Sequence, residues 1–162
     1  VTNYNRCEKK KSLTRLINCE GVIALSKQIL NRKIFLCYIS TNTVFNSKFK
    51  SKESSTPKPN FEYSRQKYYV EKKLTEYVKK NKKKIFLSII RLTKNLSNDT
   101  EPFRTWFKKI KRNKKIKAFN DLYFSPILFE NSAKLISEIL VKKNSGIFHI
   151  SNISNLNADV LH

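Results

Sequence analysis

Tyr63 and Lys67 are residues whose types and spacing can move a proton. On a helix, four residues advance the chain by roughly 400°, so the two side chains lie roughly 40° apart and about 6 Å along the axis. A lysine placed there favours phenolate and holds a neighbouring tyrosine's pKa down. A tyrosine tuned toward neutrality can give a proton to a substrate oxygen or take one from it. The spacing alone does not select this pair. With seven tyrosines and 27 lysines in 162 residues, Tyr-x-x-x-Lys is expected roughly once by chance. It occurs three times, at Tyr63/Lys67, Tyr68/Lys72 and Tyr69/Lys73.

Two features favour the first pair. Tyr63, Lys67, Val70, Leu74, Tyr77 and Val78 share one helical face, so Lys67 interrupts a stripe that is otherwise apolar or aromatic. The other feature is upstream. Ser40 and Thr41 lie at the end of a nearly continuous apolar run over residues 34–40. A run of that length suits a strand buried on both faces of a parallel sheet. In open α/β sheets the carboxyl end of such a strand is where ligands bind. The plainer role for Thr41 is a turn or helix-cap hydroxyl.

Positioning these side chains requires the remaining elements. Residues 9–30 predict a helix with Leu13, Leu16, Ile17, Ile23, Ala24 and Leu30 toward the core. Residues 46–60 read as a polar surface loop, and residues 61–80 as the helix that carries Tyr63. Residues 85–91 predict a second buried strand. The alternation of helix and strand argues for a right-handed parallel α/β unit. Residues 102–117 predict a helix with Phe103, Trp106, Phe107 and Ile110 on one side and solvated lysines on the other. Ser125 and Pro126 then read as the N-cap and first residue of a further helix. Late lysines and Gly146 would end it. Residues 146–151 read as a last strand.

Composition sets the outer limits. A hydrophobic fraction of 40% with 12% aromatics supports one globular core in a chain of 162 residues. The formal charge of +22 raises nucleic acid or an anionic membrane as partners. We expect neither. The charge is mostly lysine and spreads along the whole chain, whereas base readout favours the forked geometry of arginine. No apolar run approaches the roughly 18 residues that span a bilayer. Cys7, Cys19 and Cys37 have no zinc spacing, and neither His149 nor His162 extends them into one. Three reduced thiols in a cytoplasmic protein are expected. The chain starts at Val1, contains no methionine, and has two glycines, Gly21 and Gly146, so it holds no glycine-rich phosphate loop. These features suggest a fragment lacking an N-terminal part.

From Ser40-Thr41-Asn42-Thr43-Val44-Phe45 to Tyr63-Ser64-Arg65-Gln66-Lys67, the chain resembles the extended short-chain dehydrogenase/reductases. Among them it is most similar to the dTDP-4-dehydrorhamnose reductase family, with its Ser-Thr-Asp-Tyr-Val-Phe segment, Pro-x-Asn-x-Tyr-Gly-x-(Ser/Thr)-Lys element, and Glu four residues beyond that lysine. Pro59-Asn60 through Lys67, with Glu71, follows the second element. Cys7-Glu8, Ile17 to Gly21, Ile89 to Leu92, Phe119-Asn120-Asp121 with Ser125-Pro126, and Gly146 to Ser151 extend the similarity almost end to end. The sequence departs from the pattern at Asn42, Thr43 and Ser64, where the family has Asp, Tyr and Gly.

The resemblance implies a partial Rossmann-like parallel sheet, the C-terminal half of an extended dehydrogenase/reductase domain. Residues 1–91 would carry the catalytic pair, and residues 92–162 mainly substrate-binding segments with the last Rossmann elements. It further implies reduction of the 4-keto group of a nucleotide-linked deoxysugar by NADPH or NADH. Tyr63 would be the acid. Lys67 would lower its pKa, and both residues would contact the cofactor. Thr41 would orient the carbonyl, with Ser40 and Asn42 also toward substrate. The resemblance admits a homodimer. It also admits an epimerase or dehydratase of the same superfamily, or a homologue that binds a sugar nucleotide without catalysis.

Overall fold

The computed structural model describes residues 1–46, 51–81, 87–97, 100–101, 103–116, 123–152 and 156–157. Its centre is a three-stranded parallel sheet of β1 (Leu36–Thr41), β2 (Leu87–Leu92) and β6 (Gly146–Ile150), in the order β1-β2-β6. Leu36 through Thr41 pair in step with Leu87 through Leu92, and Ser88 through Leu92 with Gly146 through Ile150. Helix α4 (Glu62–Lys80) makes the crossover from β1 to β2. Helix α6 (Phe129–Lys142) precedes β6. The partial Rossmann-like parallel arrangement expected from the sequence is present. Two short pairs lie outside the main sheet: β3 (Asn95–Leu96) with β5 (Ile127–Leu128), parallel, and β4 (Tyr123–Phe124) with β7 (Leu156–Asn157), antiparallel.

The core forms where the apolar stripes meet. Val70 and Leu74 of α4 pack with Tyr38, Leu87 and Ile89 of the sheet and with Cys19, Ile23 and Leu30 of the N-terminal helices. On the opposite side, Ile90, Ile127 and Ile150 cluster, with Ile136 and Ile139 of α6 against them. Strand β2 is buried along nearly its whole length. Strand β1 is less so than expected, because it lies at one side of the sheet and Ile39 is 37% exposed. The expected strand also starts later, leaving Ile34 exposed. Cys7, Cys19 and Cys37 are all free thiols. Among the described residues, no helix is long and apolar enough to cross a membrane, and no group of side chains could hold a metal ion.

The N-terminal helix differs from its prediction. It begins at Tyr4, with α1 (Tyr4–Lys9), α2 (Lys11–Arg15), a π-helical segment (Leu16–Gly21) and α3 (Val22–Asn31) in succession. Asn3 caps α1 through the Arg6 amide. A π segment accommodates an extra residue in the turn, which rotates the following positions by roughly 100°. The buried positions are therefore Cys7, Thr14, Cys19, Ile23, Ser26 and Leu30, while Leu13, Leu16 and Ile17 are exposed. The apolar spacing was read on a uniform period that the chain does not keep.

Two further boundaries moved. Ser125 and Pro126 do not start a helix; they precede β5, whose Ile127 amide donates to the Lys94 carbonyl at 3.0 Å. Burial of Ile127 and its pairing with Asn95 outweigh the local capping signal. Helix α6 begins at Phe129 and ends on Lys143 in the left-handed region, not on glycine; Gly146 instead opens β6 at a φ of 141°. Helix α5 (Phe103–Ile110) is shorter than predicted, and its Phe107 and Ile110 are exposed. Pro102, Lys117 and the Phe119-Asn120-Asp121 segment lie outside the described residues.

Candidate active site

The site begins with a carboxylate that fixes the start of α4. Glu8 of α1 accepts the Glu62 amide at 2.7 Å, satisfying one of the orphan donors of the helix N-terminus. Arg65 braces the same corner through Glu62 at 3.2 Å and the Asn60 carbonyl at 2.5 Å. Gln66 is buried one residue before Lys67. It accepts from Asn18 at 2.9 Å and donates to Thr14 at 3.0 Å, while its backbone carbonyl accepts from the Cys19 thiol. Polar residues on an otherwise apolar interface thus lock the first two turns of α4. The Gln66 contacts with Asn18, Thr14 and Cys19 gave no sequence signal, because these partners lie 47 or more residues away.

Lys67 points back across β1. Its Nζ donates to the Ile39 carbonyl at 2.8 Å. It also lies 5.0 Å from the Tyr38 ring centroid and 5.9 Å from that of Tyr63. Burial pushes its pKa down, with Glu71 opposing. Tyr63 behaves otherwise than the spacing suggested. Burial, followed by Tyr4 and Cys7, raises its pKa to about 12. The expected lowering by Lys67 does not appear: desolvation of the phenolate sets the direction. The Tyr63 ring packs edge-on against Tyr4, with centroids 5.2 Å apart.

Thr41 ends β1 with 8% of its surface exposed. Its Oγ1 accepts the Thr43 amide at 3.3 Å and lies 3.1 Å from the Thr43 hydroxyl. It therefore serves as the cap of the short 3-10 turn Asn42–Val44, the plainer role, and still presents a hydroxyl at the strand end. Thr43 Oγ1 lies 2.7 Å from Ser64 Oγ, which joins the strand end directly to the residue after Tyr63. Tyr4 completes the cluster, reaching both Thr43 and the Tyr63 ring.

Ser40 and Asn42 stand differently. Ser40 is 4% exposed and donates to Glu71 at 2.5 Å, so its proton is engaged behind the strand. Asn42 is exposed in the turn, and its carbonyl accepts the Phe45 amide at 3.1 Å. Lys67 lies beside the Tyr63 ring, and Thr41 is linked to the same end of α4 through Thr43, which Ser64 and Tyr4 both reach, while Ser40 is engaged on the buried side.

A parallel sheet, with a Tyr-x-x-x-Lys helix crossing beside the carboxyl end of one strand, places the chain in the Rossmann-like class of α/β proteins. The chain belongs to the RmlD substrate binding domain family, which matches residues 1–158. Among solved structures it is similar to a hypothetical dTDP-4-dehydrorhamnose reductase from Sulfolobus tokodaii, at 26% identity and a TM-score of 0.82, covering 97% of this chain and 54% of that one. It is similar to the dTDP-4-dehydrorhamnose reductase of Bacillus anthracis in complex with NADP, at 23% identity and a TM-score of 0.84, covering 97% and 55%. The fold is shared equally by a UDP-N-acetylglucosamine 4-epimerase from Methanobrevibacter ruminantium, at 14% identity and a TM-score of 0.85, covering 99% and 55%. The chain thus spans about half the length of these structures. No curated protein matches it.

Proposed function

We propose that this chain is the catalytic half of an NAD(P)H-dependent reductase acting on the 4-keto group of a nucleotide-linked deoxysugar. The observation that carries the reading is that the hydroxyl contacts from Thr41 through Thr43 to Ser64 set the end of β1 against the start of α4, where Lys67 lies beside the Tyr63 ring. Family membership over residues 1–158 supports it. So does the fold shared with the NADP complex of the Bacillus anthracis reductase.

The residues fit a nicotinamide cofactor. An ammonium carries three N–H donors. Lys67 gives one to Ile39, which leaves capacity for ribose hydroxyls. When bound, the cofactor supplies the hydride. Hydride arrival leaves negative charge on the carbonyl oxygen, and donors at hydrogen-bond distance must hold it. Thr41 donates to that oxygen and orients it. Tyr63 gives up its proton to it. A tyrosine with its pKa raised to about 12 is protonated at neutral pH, the form an acid needs for reduction. Lys67 contacts the cofactor through its remaining N–H donors.

The test uses a protein in which this chain is joined to a glycine-rich nucleotide-binding half. With NADPH and a nucleotide-linked 4-keto-6-deoxysugar, NADPH should be consumed and the 4-hydroxy sugar formed. Epimerised or dehydrated product without net NADPH consumption would replace the reductase reading. Binding of the sugar nucleotide with no turnover would favour a non-catalytic homologue.

A further inference from the structure

Thr43 and Ser64 both depart from the resembled family pattern, and their hydroxyls lie 2.7 Å apart. The Thr43 hydroxyl is also 3.1 Å from Thr41 Oγ1, so three hydroxyls form a chain from helix to strand end. We infer that Ser64 and Thr43 are positioning residues that direct the Thr41 hydroxyl proton toward the substrate carbonyl. This rests on the reductase reading above.

The direction follows from counting protons. A hydroxyl has one proton to give and two lone pairs to accept with. Ser64 is 0% exposed, and among the described residues Thr43 is the acceptor within its reach. Leaving a buried donor unpaired is costly, so Ser64 donates to Thr43. The Tyr4 hydroxyl approaches Thr43 at 3.5 Å as a second donor. Thr43 then accepts twice, and its own proton is free for Thr41. Thr41 already accepts the Thr43 amide at 3.3 Å. With the Thr43 hydroxyl added, both of its lone pairs are filled. The Thr41 proton is left to point away from the turn, toward a bound oxygen. If Thr41 donated to Thr43 instead, Thr43 would have to accept from Tyr4, Ser64 and Thr41 with two lone pairs, or else the Ser64 proton would be stranded inside the protein. Hydrogen bonds in series polarise one another, so the chain also strengthens Thr41 as a donor.

The test is a kinetic cycle in the joined protein. Thr43→Val should lower kcat by roughly five- to tenfold, the effect of one lost positioning hydrogen bond. KM for NADPH should be unchanged, and Thr43→Ser should restore kcat. In a Thr41→Val background the Thr43→Val loss should vanish, because the group it positions is gone. A purely structural Thr43 would instead give additive losses. A denaturant cycle between Thr43→Val and Ser64→Ala checks the link without activity; the folding constants should be coupled by roughly fivefold. Additive kcat losses, failure of Thr43→Ser to rescue, or uncoupled folding constants would overturn the inference while leaving the reductase reading intact. An unsubstituted protein that turns over no nucleotide sugar would overturn both.

Discussion

Arg91 Nη2 donates to Glu71 Oε2 at 2.8 Å, and each side chain is 3% exposed. The pair ties α4 to β2 behind the candidate site. Its Nε adds contacts to both Glu71 oxygens, and Ser40 donates to the same carboxylate from β1. Phe45 caps the guanidinium, with its ring centroid 5.0 Å from Cζ. Glu71 therefore holds the strand that ends in Thr41 and the helix that carries Lys67 in one register.

Removing one partner should be severe, because the other charge stays buried without compensation. Glu71→Gln or Arg91→Met alone should cost about 3–5 kcal/mol of folding stability. Urea midpoints should fall with little change in slope. The double variant Glu71→Met/Arg91→Met should regain much of the loss, since apolar pairs of similar volume can replace buried ions. A single substitution costing under about 1 kcal/mol, the usual value of a surface pair, would show that the pair does not bind these elements together.

His149 makes the same region sensitive to acid. Its Nδ1 lies 3.1 Å from the Ser51 carbonyl, and its Nε2 lies 3.4 Å from Arg91 Nη1. The carbonyl needs a donor, so Nδ1 carries the proton and Nε2 faces the guanidinium bare. Protonating Nε2 would set two positive groups against each other. Burial lowers the His149 pKa, Glu53 and Glu71 oppose, and Arg91 lowers it further. A folded pKa below the unfolded value of about 6.5 gives stability that is present above that pH and lost as the pH falls through the folded pKa. The thermal unfolding temperature should therefore fall as pH drops below about 6.5, and His149→Gln should flatten that slope. An unchanged slope in the variant would remove His149 as the cause. Glu53, with its pKa lowered by hydrogen bonds from its own and the His149 backbone amides, adds a loss of the same sign at more acid pH.

Local pattern and long-range pairing divide what the sequence reveals. The stripe of Val70, Leu74, Tyr77 and Val78 marked α4 correctly because its period is unbroken over the helix. The apolar run before Thr41 marked β1, and the Tyr63-Lys67 pair stood out as a charge on a buried face. The π segment was invisible, since Leu16 to Gly21 contains no proline, its single glycine does not interrupt the helix, and its apolar residues fit a uniform period. The Ser125-Pro126 signal misled because pairing of Ile127 with Asn95 is decided by residues over 30 positions away. Arg91 and Glu71 read separately as a strand residue and a helix residue, and nothing local says that they meet. Tyr63's raised pKa belongs to the same class: it depends on burial beneath Tyr4, which spacing cannot report.

The two glycines govern cofactor affinity in this chain taken by itself. A pyrophosphate usually sits on a glycine-rich turn between a strand and the N-terminus of a helix. Gly21 lies in the π segment between helices, and Gly146 opens a strand. Neither occupies such a turn. The 162-residue chain should therefore show no micromolar affinity for NADPH by calorimetric titration. Tight binding by the chain alone would mean that the phosphates are held by groups other than a glycine turn.

The sharpest distinction is between Tyr63 and its two neighbours of the same spacing. Tyr69 lies beneath Arg15 and Lys73, at 5.4 and 5.7 Å from its ring centroid. Tyr68 and Tyr69 both line a hollow with Arg15, Pro59 and Lys72, away from Thr41. These positions are roughly 140° and 240° around the helix from Tyr63. In the joined protein, Tyr63→Phe should lower kcat by on the order of 10²–10⁴, the cost of losing a positioned acid. The ring that packs on Tyr4 is retained, so unfolding temperature should change little. Tyr68→Phe and Tyr69→Phe should leave turnover nearly intact. Lys67→Ala should fail as well, raising KM for NADPH along with its loss in kcat, whereas Lys72→Ala and Lys73→Ala should be tolerated. Lys72 is exposed, and Lys73 is occupied with Glu76 at 3.1 Å on the outer face. A turnover that survived Tyr63→Phe but not Tyr68→Phe would move the chemistry to the other side of α4. Indifference to all three tyrosines, with the sugar nucleotide still bound, would make binding without catalysis the better account.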